Sequence, residues 1–101
     1  MAGDTRTFEW DSAKASAARR HHGVTFELAT LVFDDPGALG WVDNDLRYGE
    51  ERFVIIGRAG MAADALLTVV YTQRRERIRI ISARRATRRE REDYDRGQAA
   101  R

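Results

Sequence analysis

The chain has no cysteine and a single proline, Pro36, in 101 residues. The first absence removes disulfides, thiolate zinc sites, iron–sulfur ligation and cysteine nucleophiles together, and leaves the redox compartment unread. The second excludes a proline-rich linker or polyproline module. No apolar run approaches the ~18 residues that a membrane-crossing helix needs, and Met1–Arg6 lacks the apolar segment of a secretory signal. No repeat, low-complexity tract or phosphate-cradling glycine loop occurs, so nucleotide hydrolysis is disfavoured. Lysine is nearly missing too: Lys14 stands alone against seventeen arginines. What is left is one small domain, expected to be soluble and cytoplasmic.

Hydrophobic residues make up 43% and charged residues 34%, enough for a single core but not for a deep enclosed cavity. The net charge of +2 hides an asymmetry. Residues 1–73 carry seven bases and eleven acids, a balance of −4; residues 74–101 carry eleven bases and five acids, a balance of +6. All eleven of those bases are arginine. A basic region set against an acidic one suits a phosphate-rich ligand or an acidic protein partner.

Local signals give an element order. Thr7-Phe8-Glu9-Trp10 reads as a short strand with Phe8 and Trp10 on one face. Asp11 stands at an N-cap, Ala13 to His22 is rich in helix formers, and Gly23 is the left-handed stop. Thr25 caps a second helix in which Phe26, Ala29, Val32 and Phe33 recur at helical spacing, ended by Asp34-Asp35-Pro36-Gly37. The period then changes. Leu39–Val42, Arg52–Ile56 (ended by Gly57), Leu66–Tyr71 and Ile78–Ser82 read as strands, with Leu66–Tyr71 apolar enough to be central. Thr87-Arg88-Arg89-Glu90 is a capping box opening a charged helix through about Tyr94. The order β-α-α-β-β-β-β-α, with short connections between strands, predicts an α+β domain: a mainly antiparallel sheet with helices packed on one face. Residues 1–6 are expected to form a flexible leader, 7–95 the domain and 96–101 a tail.

That architecture gives the arginines a direction. If Ile78 and Ile80 face the helices, alternation sends Arg77, Arg79 and Ile81 to the opposite face. In the strand from Arg52 the same period groups Arg52, Val54 and Ile56, with either face open to be the covered one. The expected product is a sheet with one covered face and one partly open face carrying guanidinium groups, suited to RNA.

Several segments also carry a family pattern. Phe8-Glu9-Trp10-Asp11, Lys14, His22-Gly23-Val24-Thr25-Phe26, Ala29 and Val32-Phe33-Asp34-Asp35-Pro36 come first. Gly49-Glu50-Glu51-Arg52-Phe53 and Ile56-Gly57 follow, then Val70-Tyr71-Thr72-Gln73-Arg74, Arg79 through Thr87, Glu90 and Tyr94. Together, over roughly residues 7–95, they resemble the BrnT family of toxins. The resemblance implies a RelE-like fold and ribonuclease activity, silenced by a BrnA-like antitoxin. It also implies a higher-order toxin–antitoxin complex that binds operator DNA through the antitoxin. The sequence departs from the family at His21, where a lysine usually precedes His-Gly, and at Met61–Ala65, which replaces a segment containing Gly-Arg.

RNA cleavage without a metal attacks the scissile phosphate with the adjacent 2′-hydroxyl and leaves a cyclic phosphate. It needs a base, an acid and cations on the non-bridging oxygens. His22 is a candidate for proton transfer; the structural alternative is a cation closing the first helix. In Glu50-Glu51-Arg52, Glu51 is the candidate base and Arg52 the phosphate clamp, while Glu50 reads rather as a surface ion pair. Arg74, Arg79 and Arg84 complete the catalytic candidates, since a strand arginine needs solvent, an acid or a ligand for its head. Arg77, Arg85 and Tyr71 are candidate RNA contacts, although Tyr71 reads more readily as the end of a core strand. Arg88, Arg89 and Arg91 alternate with acids as on a solvated helix. Trp10 and Trp41 read as core or edge packing rather than base platforms. Neither Asp34-Asp35 nor Asp43/Asp45 has the complement of a two-metal centre, and no cofactor is expected. A non-catalytic module that docks an antitoxin or nucleic acid is the alternative function.

Overall fold

The computed structural model describes residues 7–45, 47, 49–60 and 65–99. The expected leader, residues 61–64 and the last two residues of the expected tail lie outside them. The elements are β1 (Thr7–Trp10), α1 (Ser12–His22), α2 (Phe26–Ala29) continued by a 3-10 turn (Thr30–Asp34), β2 (Leu39–Asp43), β3 (Arg52–Arg58), β4 (Leu66–Arg74), β5 (Arg77–Arg85) and α3 (Arg88–Ala99). This is the α+β order read from the sequence.

The caps form as the residue types dictate. The Asp11 carboxylate accepts the Ala13 and Lys14 amides, and Gly23 closes α1 at φ 66°, a conformation in which a Cβ would be strained. Thr25 accepts the Leu28 amide to open α2. The Thr30 hydroxyl donates to the Glu27 carbonyl, and the chain tightens from α to 3-10 geometry there.

The five strands lie in the order β1-β5-β4-β3-β2. Strands β2 to β5 pair antiparallel, while β1 runs parallel to β5, with Phe8 opposite Ile78 and Glu9 opposite Arg79. One sheet face carries Phe8, Trp10, Ile55, Leu67, Val69, Ile80 and Ala83 and packs under Ala18, Val24, Phe26, Ala29 and Val32 of the α1–α2 region. Gly57 belongs to this face. A Cβ there would come within 3.0 Å of the Val32 side chain and carbonyl, so only glycine lets β3 pass beneath the 3-10 turn.

α3 packs elsewhere. Its Tyr94 is buried against Ile56 and Leu66, the residues that alternate away from Ile55 and Leu67, so this helix covers one end of the opposite face. Asp35 ties it down, accepting the Arg58 amide, the Gly37 amide and the Tyr94 hydroxyl, each at 2.8 Å. Burial alone would raise the Asp35 carboxyl, but those three donors outweigh it and hold it below its usual range. Gln98 donates to the Gly37 carbonyl at 2.7 Å, and Gly97 lies against Leu39. These contacts carry the helix past Tyr94 to Ala99.

β5 contains an irregularity. Val70 pairs with Ser82 but Tyr71 pairs with Ile80, so Ile81 is an extra residue in the ladder. This bulge resets the alternation. Ile80 and Ala83 both reach the α1 side, and Arg79 and Arg84, five positions apart, share the other face.

Candidate functional site

The pairing registers sort the face opposite α1 into rows. One row holds Leu39, Ile56, Thr68 and Arg84, and α3 lies over it. Next come Trp41, Val54, Val70 and Ser82. In the third, Asp43 stands opposite Arg52 and Thr72 opposite Arg79, with Glu9 beyond on β1. Arg74 and Arg77 face each other at the margin.

The arginine row is the part that α3 leaves open. Arg52, Arg74 and Arg79, from three different strands, line a concavity of about 160 Å³ together with Asp11, Lys14, Glu50 and Ile81. Glu50 stands between two of the guanidiniums, 3.5 Å from Arg52 Nε and 3.5 Å from Arg74 Nη2. The Thr72 hydroxyl donates to the Glu51 carbonyl at 2.7 Å and pins the chain that delivers Glu50 and Arg52. Glu9 holds the third guanidinium, 3.0 Å from Arg79 Nη1, and lies 3.5 Å from Arg77 Nη1. Those arginines, Arg79 first, keep the Glu9 carboxyl below its usual range. Arg52 and Arg79 are only 17% and 29% exposed, so their heads are held in place and not free in solvent. The site is a set of preoriented forks, each facing a carboxylate that an anionic ligand would displace or share.

The other sequence candidates fall around this centre. His22 is exposed at the end of α1 and lines a shallow depression with His21, Ser82 and Ala83. Lys14 and Ile81 border both that depression and the arginine concavity. The Glu51 side chain is exposed and lines a separate hollow with Val42, Asp43, Asn44 and Asp45. Arg77 borders the arginine row beside Arg74 and Glu9.

Arg84 shares the face but meets α3: its Nη1 and Nη2 approach Glu90 Oε1 and Oε2 at 2.7 and 2.9 Å. Arg85 pairs with Leu67 on the α1 face. Tyr71 is on that face as well, between Phe33 (centroids 4.9 Å, edge-on) and Phe53 (5.4 Å, stacked), and burial raises its hydroxyl. Of the two readings of Tyr71, its position is that of a core strand residue.

Two residues were under-read in the sequence. Glu50 rather than Glu51 enters the concavity, because alternation across a loop-to-strand junction is not defined until the strand register is known. Lys14 lies one turn into α1, and its placement depends on the β1–β5 pairing.

The chain is thus a small α+β domain with a row of strand-borne arginines on an open sheet face. Residues 10–90 match the model of the ribonuclease toxin BrnT of type II toxin–antitoxin systems, and the chain belongs to that family. No curated protein matches it. Membership makes it a ribonuclease toxin with an antitoxin as its partner. Among the described residues no helix is long and apolar enough to cross a membrane.

Proposed function

We propose that the chain is an endoribonuclease whose cleavage centre is the Arg52–Arg74–Arg79 concavity. The observation that carries this reading is the convergence of three strand-borne guanidiniums and Lys14 on one concavity, where Glu50 stands between Arg52 and Arg74. The scissile phosphate takes the place between Glu50 and the arginines, which bind its non-bridging oxygens and stabilise the charge that grows as the 2′-oxygen attacks. Glu50 accepts the 2′-hydroxyl proton, and the Lys14 ammonium donates to the departing 5′-oxygen. The products are a 2′,3′-cyclic phosphate and a free 5′-hydroxyl. The cations required are already supplied by side chains, which supports a reaction without a divalent metal. His22 and Glu51 flank the centre on either side and contact adjoining nucleotides, as does Arg77.

The antitoxin, in this reading BrnA-like, covers the same arginine row. Carboxylates matched to that row supply rate and specificity of association, and apolar anchors supply affinity. Operator binding belongs to the antitoxin in a higher-order complex.

The test is incubation of purified chain with single-stranded RNA in EDTA, with the ends of the fragments identified. Cyclic phosphate ends, and their loss in folded Arg79→Ala, are expected. Cleavage that requires added magnesium, or that persists in Arg79→Ala, overturns the assignment. Folded wild type that binds RNA without cutting it identifies the alternative, a non-catalytic binding module.

A further inference from the structure

We infer that the row Trp41–Val54–Val70–Ser82 is a nucleobase subsite, with Trp41 stacking on a base of single-stranded RNA beside the cleaved phosphate. The inference rests on the proposed cleavage centre and adds to it the group that holds the substrate's base. Trp41 is 47% exposed, the most open of the large hydrophobic side chains on the sheet. It pairs with Val54, and Val54 with Val70, and Val70 with Ser82, so these four side chains form one line across the face. On one side of the line is the row that α3 covers; on the other is the arginine row, reached through Asp43, opposite Arg52.

Two residues along a strand is ~6.8 Å. An apolar, aromatic-ended strip thus runs parallel to the row that carries Arg52 and Arg79, at about the offset between a nucleobase and its own phosphate. Stacking platforms beside a cationic track are how single strands are bound without regard to sequence. Tyr71, the aromatic that the sequence suggested for this task, is occupied by Phe33 and Phe53 on the opposite face. Trp10 is likewise committed, edge-on to Phe26 at 5.9 Å. Among the described tryptophans and this sheet's aromatic residues, Trp41 alone stands on the arginine face with an exposed ring. The continuity of the apolar strip with the arginine row favours RNA over a protein anchor as its occupant.

The experiment is a fluorescence titration of full-length chain, in low salt, with a single-stranded 2′-deoxy oligonucleotide that cannot be cleaved. Quenching of tryptophan emission is expected, with binding weakened about tenfold or more in Trp41→Ala. Trp41→Phe should keep affinity within a few-fold and lose most of the quenching. An abasic nucleotide in the oligonucleotide should weaken wild type but leave Trp41→Ala almost unchanged, a comparison made on the ligand side. If the oligonucleotide binds in an Arg79-dependent manner while Trp41→Ala is indifferent, the subsite is wrong and the cleavage centre stands. If wild type binds no oligonucleotide at all, the cleavage centre fails and the subsite with it. If Trp41→Ala loses only antitoxin affinity, Trp41 is a protein anchor and the inference is overturned.

Discussion

Arg84 and Glu90 meet fork to fork, at 2.7 and 2.9 Å, six residues apart on either side of the turn from β5 into α3. Glu90 also closes the capping box with Thr87 and accepts the Thr68 hydroxyl at 2.9 Å. One carboxylate therefore starts the helix, holds it to β4 and binds the arginine. This occupation changes what Arg84 is expected to do.

Arg84→Ala should loosen α3 before it affects phosphate binding. The expected loss is roughly 1 kcal/mol, since the pair is partly solvent-screened. Denaturant unfolding and amide exchange across 88–99 will show it. A variant with unchanged stability and exchange, but no RNA cleavage, would return Arg84 to the reaction.

The Glu90 carboxyl, held by Arg84 against the opposing effect of its burial, titrates at about 2 in place of 4.5. Folding thus favours its ionised form. That stabilisation is complete above about pH 4.5 and is lost as pH falls towards 2. Asp35, also held below its usual value, adds in the same direction. Wild type and Glu90→Gln should accordingly differ in melting temperature at pH 6, draw together below about pH 4.5 and converge only as pH reaches about 2. Parallel curves down to pH 3 would show that the carboxyl is not ion-paired in solution.

Asp35→Ala leaves two backbone amides and the buried Tyr94 hydroxyl without their acceptor. A loss of about 2–3 kcal/mol is expected, against about 1 kcal/mol for Tyr94→Phe, which removes a single donor. If urea midpoints rank these two variants in the reverse order, the Asp35 hub is not what fixes α3.

Arg52→Ala and Arg79→Ala should each lower RNA cleavage by about 10²–10³-fold with the fold retained. Arg88→Ala, on an exposed side chain paired with Glu92 across one turn, should change activity little and stability by less than about 0.5 kcal/mol. Equal losses in all three would indicate general electrostatic attraction in place of a defined centre.

Much of this was legible before any coordinates. Asp11, Gly23, Thr25 and the Thr87–Glu90 box are local signals whose partners lie within four residues, and each forms as read. The alternation in Arg77–Ile80 sent Arg79 to the open face because strand period is local as well. The extra residue at Ile81 left no such mark. Whether Ile81 pairs is decided by where β4 offers its partners, and this is why Arg84 cannot be phased from Arg79 by counting. α3 outruns its sequence signal for a similar reason, because Gln98 and Gly97 are fixed by Gly37 and Leu39, some sixty positions away. Tyr71 was ambiguous, since an aromatic ending an apolar strand belongs to a core or a surface depending on the aromatic rings set against it.

The parallel pairing of β1 with β5 also governs when the molecule comes together. Phe8 meets Ile78, seventy positions later in the chain. At ~5–20 residues per second, translation needs about 4–14 s to cover that interval. Until then Glu9 has no Arg79 to hold and the arginine row has only its β3 and β4 members. Synthesis thus runs through β2, β3 and β4 before β1 has a neighbour to pair with, and the three-arginine concavity can close only once β5 is available.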